Sequence, residues 1–569
     1  MNTNVLGIFL FATLAPLIGC ATASRQPARA PCAKIQILSP ISPPLNASEL
    51  RWICGDTENA AYRDVPLYQA AFHLRAFLDN RGYVKSQINI KDGTLVVEPG
   101  QQVRVESVSI NPPDASLSRI AARFKGKVLR PSLLNSLEST LKRKLLETGH
   151  SCASVSSQSN GADVSLKIVK GAQRNFEKFQ VDPILGLLPE ALLRFRPFEA
   201  TTLYDVRYLE LYERRLQRDN VVQGTFFKEN CKENESPIEQ SFLIGPPRTL
   251  RFGVGVDTES GPLLQASWRH HRFSKMAAQA SFTLQASLLE QSLIARSEYF
   301  PWPSRPRLSI APQLKISRRQ TEDLVELTQA VEAVSSRTWD TARAKWSLGA
   351  GPAFITNWYQ SLENSRFRQE SSMALVARSE MRTHAFEIFE AHPQDGSLVA
   401  FSAEYRDPTL GFPDRTFRVA AEARTLASLG VCGRGRCVGA LRLLGSNTWT
   451  SSSSLASLPP SLKTYLGGFE NLRGFGPQSI PDNKGLGALS SAATGFELRG
   501  VDLIIPKWEP YAFFDFGSVG VNSNRLGTEL YSTLGLGLRW SSPVGLVQGY
   551  LSRPSVGDFY AYAAFGGEF

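Results

Sequence analysis

The chain has 569 residues and a net charge of +11, from 63 lysines and arginines against 52 acidic residues. This length exceeds one ordinary domain. The basic residues are spread along the chain without a nucleic-acid-binding motif, so nucleic acid is not an expected partner. Beyond the extreme N-terminus no run of about 18 apolar residues predicts a membrane-spanning helix.

The first predicted element is a secretory signal peptide over residues 1–20, because an apolar stretch from Val5 to Ile18 leads into Gly19-Cys20. Residues 17–20 resemble a bacterial lipobox, in which Cys20 would carry a lipid. The stretch before it has no lysine or arginine, and Ala21-Thr22-Ala23 offers an ordinary cleavage site instead. Export is expected under either reading, and lipidation of Cys20 stays open.

Export would place the other six cysteines where disulfides persist. Cys432 and Cys437 flank Gly433-Arg434-Gly435-Arg436, a segment typical of a turn. We expect a disulfide between these two cysteines. A metal site there is less expected because no histidine lies nearby in the sequence.

Residues 33–247 repeat a unit of about 70 residues three times, each with a strand, two helices and a hairpin. The predicted domains are 33–101, 102–171 and 172–247. Apolar residues at helical spacing are Leu67, Ala70, Ala71, Leu74, Phe77 and Leu78 in the first unit, Leu134, Leu137, Leu141 and Leu145 in the second, and Val206, Leu209, Tyr212 and Leu216 in the third. Asp92-Gly93 and Asn160-Gly161 predict tight hairpins, and Asp219-Asn220 ends the third helix.

The order of elements in each unit predicts a small mixed sheet with two helices packed on one face. Packing on that sheet explains the apolar stripe of each helix. The sheet also leaves an exposed edge, which proteins either protect or use to recruit an extended peptide by strand addition.

From residue 248 to residue 569 the apolar period changes to two, which predicts strands. The alternation is longest over residues 278–288, where alanine, phenylalanine and leucine alternate with glutamine, serine and threonine for about eleven residues, the length of a tilted membrane-spanning strand. Allowing about ten residues per strand and per connection, the region predicts a closed transmembrane barrel of about 16 antiparallel strands. The last residue, Phe569, is of the type on which outer-membrane barrels commonly end.

The most specific motif lies in residues 465–475, which end in Arg473-Gly474-Phe475. Two acidic residues, Glu497 and Asp515, are each flanked by outward apolar residues, so period two points both into the barrel. An arginine can fork onto such carboxylates. We expect the loop of Arg473 to pair with both acids inside the lumen, either as a lock for folding or as a moving part.

The Arg-Gly-Phe loop and its two acids resemble the BamA/TamA superfamily of outer-membrane assembly β-barrels. The three repeats resemble its polypeptide-transport-associated (POTRA) domains, and their number is closest to the TamA-like translocation and assembly proteins. The resemblance implies α+β POTRA repeats in the periplasm, followed by an all-β transmembrane barrel in the cell outer membrane.

The resemblance also implies a function without catalysis, which is to help insert or secrete unfolded outer-membrane client proteins. The implied partners are those clients, a TamB-like inner-membrane protein and outer-membrane lipids. No cofactor, metal or catalytic residue is expected: no Gly-x-Ser-x-Gly elbow occurs, and the histidines show no metal spacing.

The barrel is expected to close between its first strand, near Leu250–Val256, and its last strand. The residues singled out there are Phe565, Gly566, Gly567 and Phe569. The glycines lack side chains to brace this seam, so it is a candidate lateral gate. The alternative that they only ease a bend stays open.

Two other functions remain as alternatives. A two-partner-secretion transporter would export one dedicated substrate and shares the Arg-Gly-Phe loop, but it normally has two periplasmic domains and an N-terminal plug helix. A passive porin or a structural barrel would need no array of periplasmic domains.

Overall fold

The computed structural model describes residues 34–55, 65–184, 186–229, 231, 238–321, 324–361, 364–388, 394–433, 435–483, 485–503, 505–542 and 545–566. The signal-peptide prediction over residues 1–20, with Cys20, lies outside these residues, as do Gly567 and Phe569. Residue contacts divide the chain into two compact units, Met1–Ala172 and Gln173–Phe569. No helix in the described part of the chain is long and apolar enough to cross a membrane.

The first unit begins with a three-stranded sheet covered by two helices. Its elements are β1 (Ile35–Ile37), α1 (Ala47–Cys54), α2 (Leu67–Asp79), β2 (Gln87–Lys91) and β3 (Thr94–Glu98). Strand β3 is central, parallel to β1 and antiparallel to β2. Asp92 and Gly93 both have positive φ, as the hairpin between β2 and β3 requires. The core contains the predicted stripe residues Ala70, Leu74 and Leu78.

A second sheet of the same strand order follows in this unit. Its elements are β4 (Ser107–Asn111), α3 (Ala115–Ala121), α4 (Pro131–Leu146), β5 (Ser154–Asn160) and β6 (Asp163–Val169), with β6 central. Leu137, Leu141 and Leu145 of α4 are buried. They pack against alternate residues of β6, so helix and sheet share one core.

Glu49 gives the first sheet a pH-dependent contact. Both guanidinium nitrogens of Arg81 donate to its carboxylate, at 2.8 and 2.5 Å. The backbone N–H of Asn46 donates to it as well, at 2.8 Å, and completes a capping box for α1. The hydrogen bonds from Arg81, with that from Asn46, hold the pKa of Glu49 below its ordinary value.

We expect Glu49→Gln to destabilise this sheet by about 1 kcal/mol near neutral pH, because a charge-assisted pair is lost. A carboxylate whose pKa is lowered by folding stabilises the fold above its unfolded pKa, and this contribution disappears as pH falls through the folded pKa. The difference between wild type and variant should therefore shrink as the pH falls below the ordinary pKa of a glutamate. Urea unfolding of a fragment of residues 33–172 measures it through Trp52, its only tryptophan. Glu98→Gln, at an exposed strand end, should show no such difference; a constant gap for Glu49→Gln would contradict the assignment.

The third small sheet belongs to the second unit. Its elements are β7 (Phe179–Val181), α5 (Glu190–Leu193), α6 (Val206–Arg218), β8 (Gly224–Glu229) and β9 (Ile238–Leu243), with β9 central. Helix α6 ends before Asn220, whose φ of +49° places it in the left-handed region. An asparagine accepts this conformation more readily than most residues.

Sixteen consecutive strands then form a closed antiparallel barrel. They are β10 (Arg248–Asp257), β11 (Gly261–His270), β12 (Gln279–Ala286), β13 (Glu290–Glu298), β14 (Leu308–Gln320), β15 (Leu324–Asp340), β16 (Ala344–Ser361), β17 (Asn364–Thr383), β18 (Gly396–Arg406), β19 (Thr416–Cys432), β20 (Gly435–Thr450), β21 (Ser490–Val501), β22 (Trp508–Gly520), β23 (Tyr531–Ser542), β24 (Gly545–Pro554) and β25 (Tyr560–Gly566). A short helix, α7 (His384–Ile388), joins β17 to β18. The barrel confirms the predicted fold class.

Strand β12 is shorter than the alternation over residues 278–288 predicted. Ala278 accepts a turn hydrogen bond from Phe273 N–H, and Ser287 N–H donates to Glu290 O, so both residues belong to turns. The sequence pattern continued because the turn residues keep the alternating polarity of the strand.

Candidate functional site

The segment between β20 and β21, residues 451–489, folds back into the barrel. Leu466, Leu472, Phe475 and Ile480 of this loop form one apolar cluster with Ala493 of β21. Leu466 and Ile480 also exchange two backbone hydrogen bonds, at 2.8 and 3.0 Å. The loop therefore has its own small core, which fixes the position of the Arg473 motif.

Arg473 reaches both predicted acidic residues. Its Nε and Nη2 donate to the two carboxylate oxygens of Asp515, each at 2.7 Å, and its Nη1 donates to Glu497. Its guanidinium also lies 3.8 Å from the ring centre of Phe513. Arg473 is 5% exposed, Glu497 9% and Asp515 0%. The loop thus places one guanidinium between two buried carboxylates, which belong to the neighbouring strands β21 and β22.

Three further arginines lie near the two acids, two of them close to Glu497 and one at a longer distance from Asp515. Arg499 and Arg539 lie 2.5 and 2.7 Å from Glu497, whereas Arg442 lies 3.6 Å from Asp515. Asp515 consequently depends on Arg473 for its close ion pairing, while Glu497 has two other close cations.

Gly474 and Phe475 complete the motif by packing. Gly474 has a φ of +88°, and a Cβ there would lie 2.5 Å from Thr533 Oγ1 and 2.9 Å from Ser552 Oγ. Only glycine fits this close approach to β23 and β24. The Phe475 ring meets Tyr531 edge to face, with centres 5.8 Å apart.

The seam between β10 and β25 closes the barrel, and the structure describes it as far as Gly566. Its registered pairs are Gly255 with Gly566, Val256 with Phe565 and Asp257 with Ala564. On its other side β10 pairs with β11 along its whole length. A Cβ on Gly566 would lie 2.8 Å from the Cα of Gly255, so the two glycines permit close contact of the backbones.

Glu259, in the turn after β10, connects the loop to this seam. It accepts a hydrogen bond from Phe469 N–H of the loop at 3.1 Å and one from the Tyr560 hydroxyl of β25 at 3.1 Å. The Phe469 ring also stacks on Tyr562, with centres 5.0 Å apart. One carboxylate therefore joins the turn on one side of the seam to the last strand and to the loop.

A second buried ion cluster joins the third small sheet to the barrel. Arg215 of α6 donates through Nη2 to Asp340 and to Glu387, each at 2.7 Å. Arg218 Nη1 lies 3.6 Å from Glu387, and His384 Nε2 lies 3.6 Å from Asp340. Arg215 is 1% exposed. Because Asp340 ends β15 and Glu387 lies in α7, this arginine holds α6 to two strand connections.

The predicted cysteine pair lies in the turn between β19 and β20. Cys432 and Cys437 form a disulfide, with their Cα atoms 5.5 Å apart. Phe565 and Gly566 lie in β25 at the seam.

Sequence reasoning missed Glu259 and the Arg215 cluster. Arg215 carried a usable signal, since it follows Tyr212 by three residues and precedes Leu216, in phase with the apolar stripe of α6. An arginine inside such a stripe needs a buried anion. Glu259 carried no comparable signal, because a glutamate in a turn is ordinary.

Comparisons with known proteins bear on the barrel. Residues 389–554 match the family model described as the Omp85 superfamily domain. The structure of BamA from Haemophilus ducreyi lacking POTRA domains 1–3 is similar, with 14% identity, a TM-score of 0.51, and coverage of 82% of this chain and 100% of that chain.

Two structures of CdiB are also similar. That from Acinetobacter baumannii has 14% identity and a TM-score of 0.48, covering 83% of this chain and 91% of that one. That from Escherichia coli has 12% identity and a TM-score of 0.49, covering 86% and 95%. The BamA likeness, at its low identity, shows a shared fold. Residues 389–554 of the barrel therefore match an Omp85 superfamily domain, in agreement with the BamA/TamA resemblance of the Arg-Gly-Phe loop.

Proposed function

We propose that this protein helps insert or translocate β-rich client proteins at the outer membrane, without catalysis and without a cofactor. The observation that carries the proposal is the seam between β10 and β25. In the described part of the chain Gly255 pairs there with Gly566, and neither glycine has a side chain that would brace the two strands against each other.

The edge of β10 is the surface that a client strand would bind at the seam. Leu250, Phe252 and Val254 are exposed on β10, and separation of β10 from β25 would leave the backbone edge of β10 without its neighbour. An unpaired strand edge is a template for strand addition. A client strand that pairs there would satisfy its backbone groups while entering the membrane.

We place the three small sheets in the periplasm, where their edge strands would receive unfolded clients before the barrel does. Strand β2 is an edge of the first sheet and has Ile90 exposed. A TamB-like inner-membrane partner would use the same kind of edge.

The loop is suited to control the seam. Because Glu259 accepts from both Phe469 and Tyr560, displacement of the loop weakens the contact between the first turn and the last strand. The Arg473 cluster would then act as a lock that keeps the loop, and with it the seam, in the closed arrangement.

The test combines depletion with a crosslinked seam. The chain is depleted from its own cells, replaced by Val256→Cys/Phe565→Cys, and the outer-membrane proteome is quantified. We expect depletion to lower several barrel proteins together, and the oxidised variant to restore them only after reduction. Leu536→Cys/Leu551→Cys is the matched control, since these residues pair between β23 and β24.

Three results would contradict the proposal. Loss of a single secreted protein would indicate a dedicated exporter of the two-partner-secretion type. An unchanged proteome would indicate a structural barrel. Full activity of the oxidised seam pair would exclude a lateral gate while leaving assistance to clients intact.

A further inference from the structure

A cleft of about 930 Å³ lies beneath the ends of β14 and β15, next to the third small sheet. Its walls combine aromatic and basic side chains. The apolar part includes Phe179, Leu193, Phe198, Leu308 and Trp339. The proposed transport of clients makes no use of this cleft.

The cleft opens on the outer face of the barrel. Glu332, Val334 and Ser336 of β15 line the luminal cavity, so Arg337 and Trp339, at the alternate positions of this strand, point outwards. Trp339 stacks on Trp346 of β16, its registered partner, with ring centres 6.4 Å apart.

These tryptophans mark the depth of the cleft in the membrane. Tryptophan concentrates where the hydrocarbon meets the headgroups. Trp302, in the connection between β13 and β14, is 42% exposed on the same side. The cleft therefore lies at the headgroup level of the leaflet on the side of the third sheet.

Cations dominate the polar part of the lining. It contains Arg196, Arg305, Arg307 and Arg337 against two carboxylates, Glu177 and Glu199. Two of the arginines are already engaged. The Arg196 guanidinium lies over Phe179, 4.8 Å from the ring centre, and Arg307 donates to Arg196 O at 3.0 Å.

The other two arginines are free to bind a ligand. Arg305 and Arg337 are exposed, and among the described residues neither side chain has a hydrogen bond or an ion pair. Arginine matches phosphate oxygens with its planar fork of donors. Two such side chains beside apolar walls fit a ligand with an anionic head and an apolar tail.

We propose that this cleft binds one anionic phospholipid of the adjoining leaflet. Arg305 and Arg337 hold its phosphate, and Leu193, Leu308 and Trp339 contact the start of its acyl chains. The inference needs only that the barrel spans the membrane, so it stands or fails independently of the proposed transport function.

Native mass spectrometry of the full-length protein in detergent tests the site. The probes are dioleoyl phosphatidylglycerol, dioleoyl phosphatidylcholine and inorganic phosphate in large excess. We expect Arg305→Gln/Arg337→Gln to weaken retention of phosphatidylglycerol about tenfold, given the attraction of each arginine for an anionic headgroup. Phosphatidylcholine should bind weakly to both proteins, and inorganic phosphate should not displace phosphatidylglycerol.

The matched control is Arg343→Gln/Arg436→Gln, which removes two exposed arginines on the same side of the barrel, one from the connection between β15 and β16 and one from the start of β20. It should retain phosphatidylglycerol as wild type does. Heat-modifiable migration on a gel verifies that each variant is folded. Equal retention by the cleft variant, equal loss in the control, or displacement by inorganic phosphate would overturn the proposal.

Discussion

Replacing Arg473 by alanine is expected to lower the free energy of unfolding of the barrel by about 3 kcal/mol, because a buried carboxylate loses its close cation. Asp515 is fully buried, and its next cation, Arg442, lies 3.6 Å away. An exposed ion pair would contribute about 0–1 kcal/mol. Two measurements in detergent report the lost stability: the midpoint temperature of heat-modifiable migration and the midpoint urea concentration of unfolding.

The unequal surroundings of the two acids make the prediction sharper. In the background of Arg473→Ala, Asp515→Asn should recover most of the lost stability, because it removes the unpaired charge. Glu497→Gln should recover little, because Arg499 and Arg539 still pair with Glu497. Equal recovery by both second substitutions would show that the two acids share Arg473 evenly, contrary to the geometry.

The second large effect is expected from Arg215→Ala. This change leaves Glu387 and Asp340 without their shortest cation contact, and a broken buried ion pair costs about 3–5 kcal/mol. The cost falls on the docking of α6 against the strand connections of the barrel. Hydrogen exchange of the amides in α6 and α7 should accelerate by about a hundredfold to several thousandfold if opening becomes easier by this amount.

Two variants identify the cause. Arg214→Ala removes the neighbouring cation, which among the described residues donates to the Ile388 backbone carbonyl, at 2.9 Å. This variant should change exchange little. Arg215→Ala/Glu387→Gln should exchange more slowly than Arg215→Ala alone, since one buried charge is gone. If Arg214→Ala accelerates exchange as much as Arg215→Ala, the buried pairs are not what holds α6.

The sequence predicted those parts of the molecule that follow from local periodicity. Apolar and polar residues that alternate along a strand specified the outward face of β10 and the inward direction of Glu497 and Asp515. They could do so because each side chain of a strand points to one of two faces. Asp92-Gly93 specified a hairpin because few residues accept two consecutive positive φ angles.

Features that depend on distant segments could not be predicted in this way. The partners of Arg215 lie more than a hundred residues away in sequence, and its pairing emerges only when α6 meets the connections of the barrel. The end of β12 at Ala286 was also missed, because turn hydrogen bonds rather than side-chain polarity end that strand.

The two hydrogen bonds that Glu259 accepts also have a thermodynamic consequence. Since it accepts from the loop and from the last strand at once, the equilibria of the loop and of the strand are linked. Linkage is reciprocal: the factor by which withdrawal of the loop favours release of Tyr560 equals the factor by which release of Tyr560 favours withdrawal of the loop. Under the proposed function, a client strand that displaced β25 would therefore also loosen the loop.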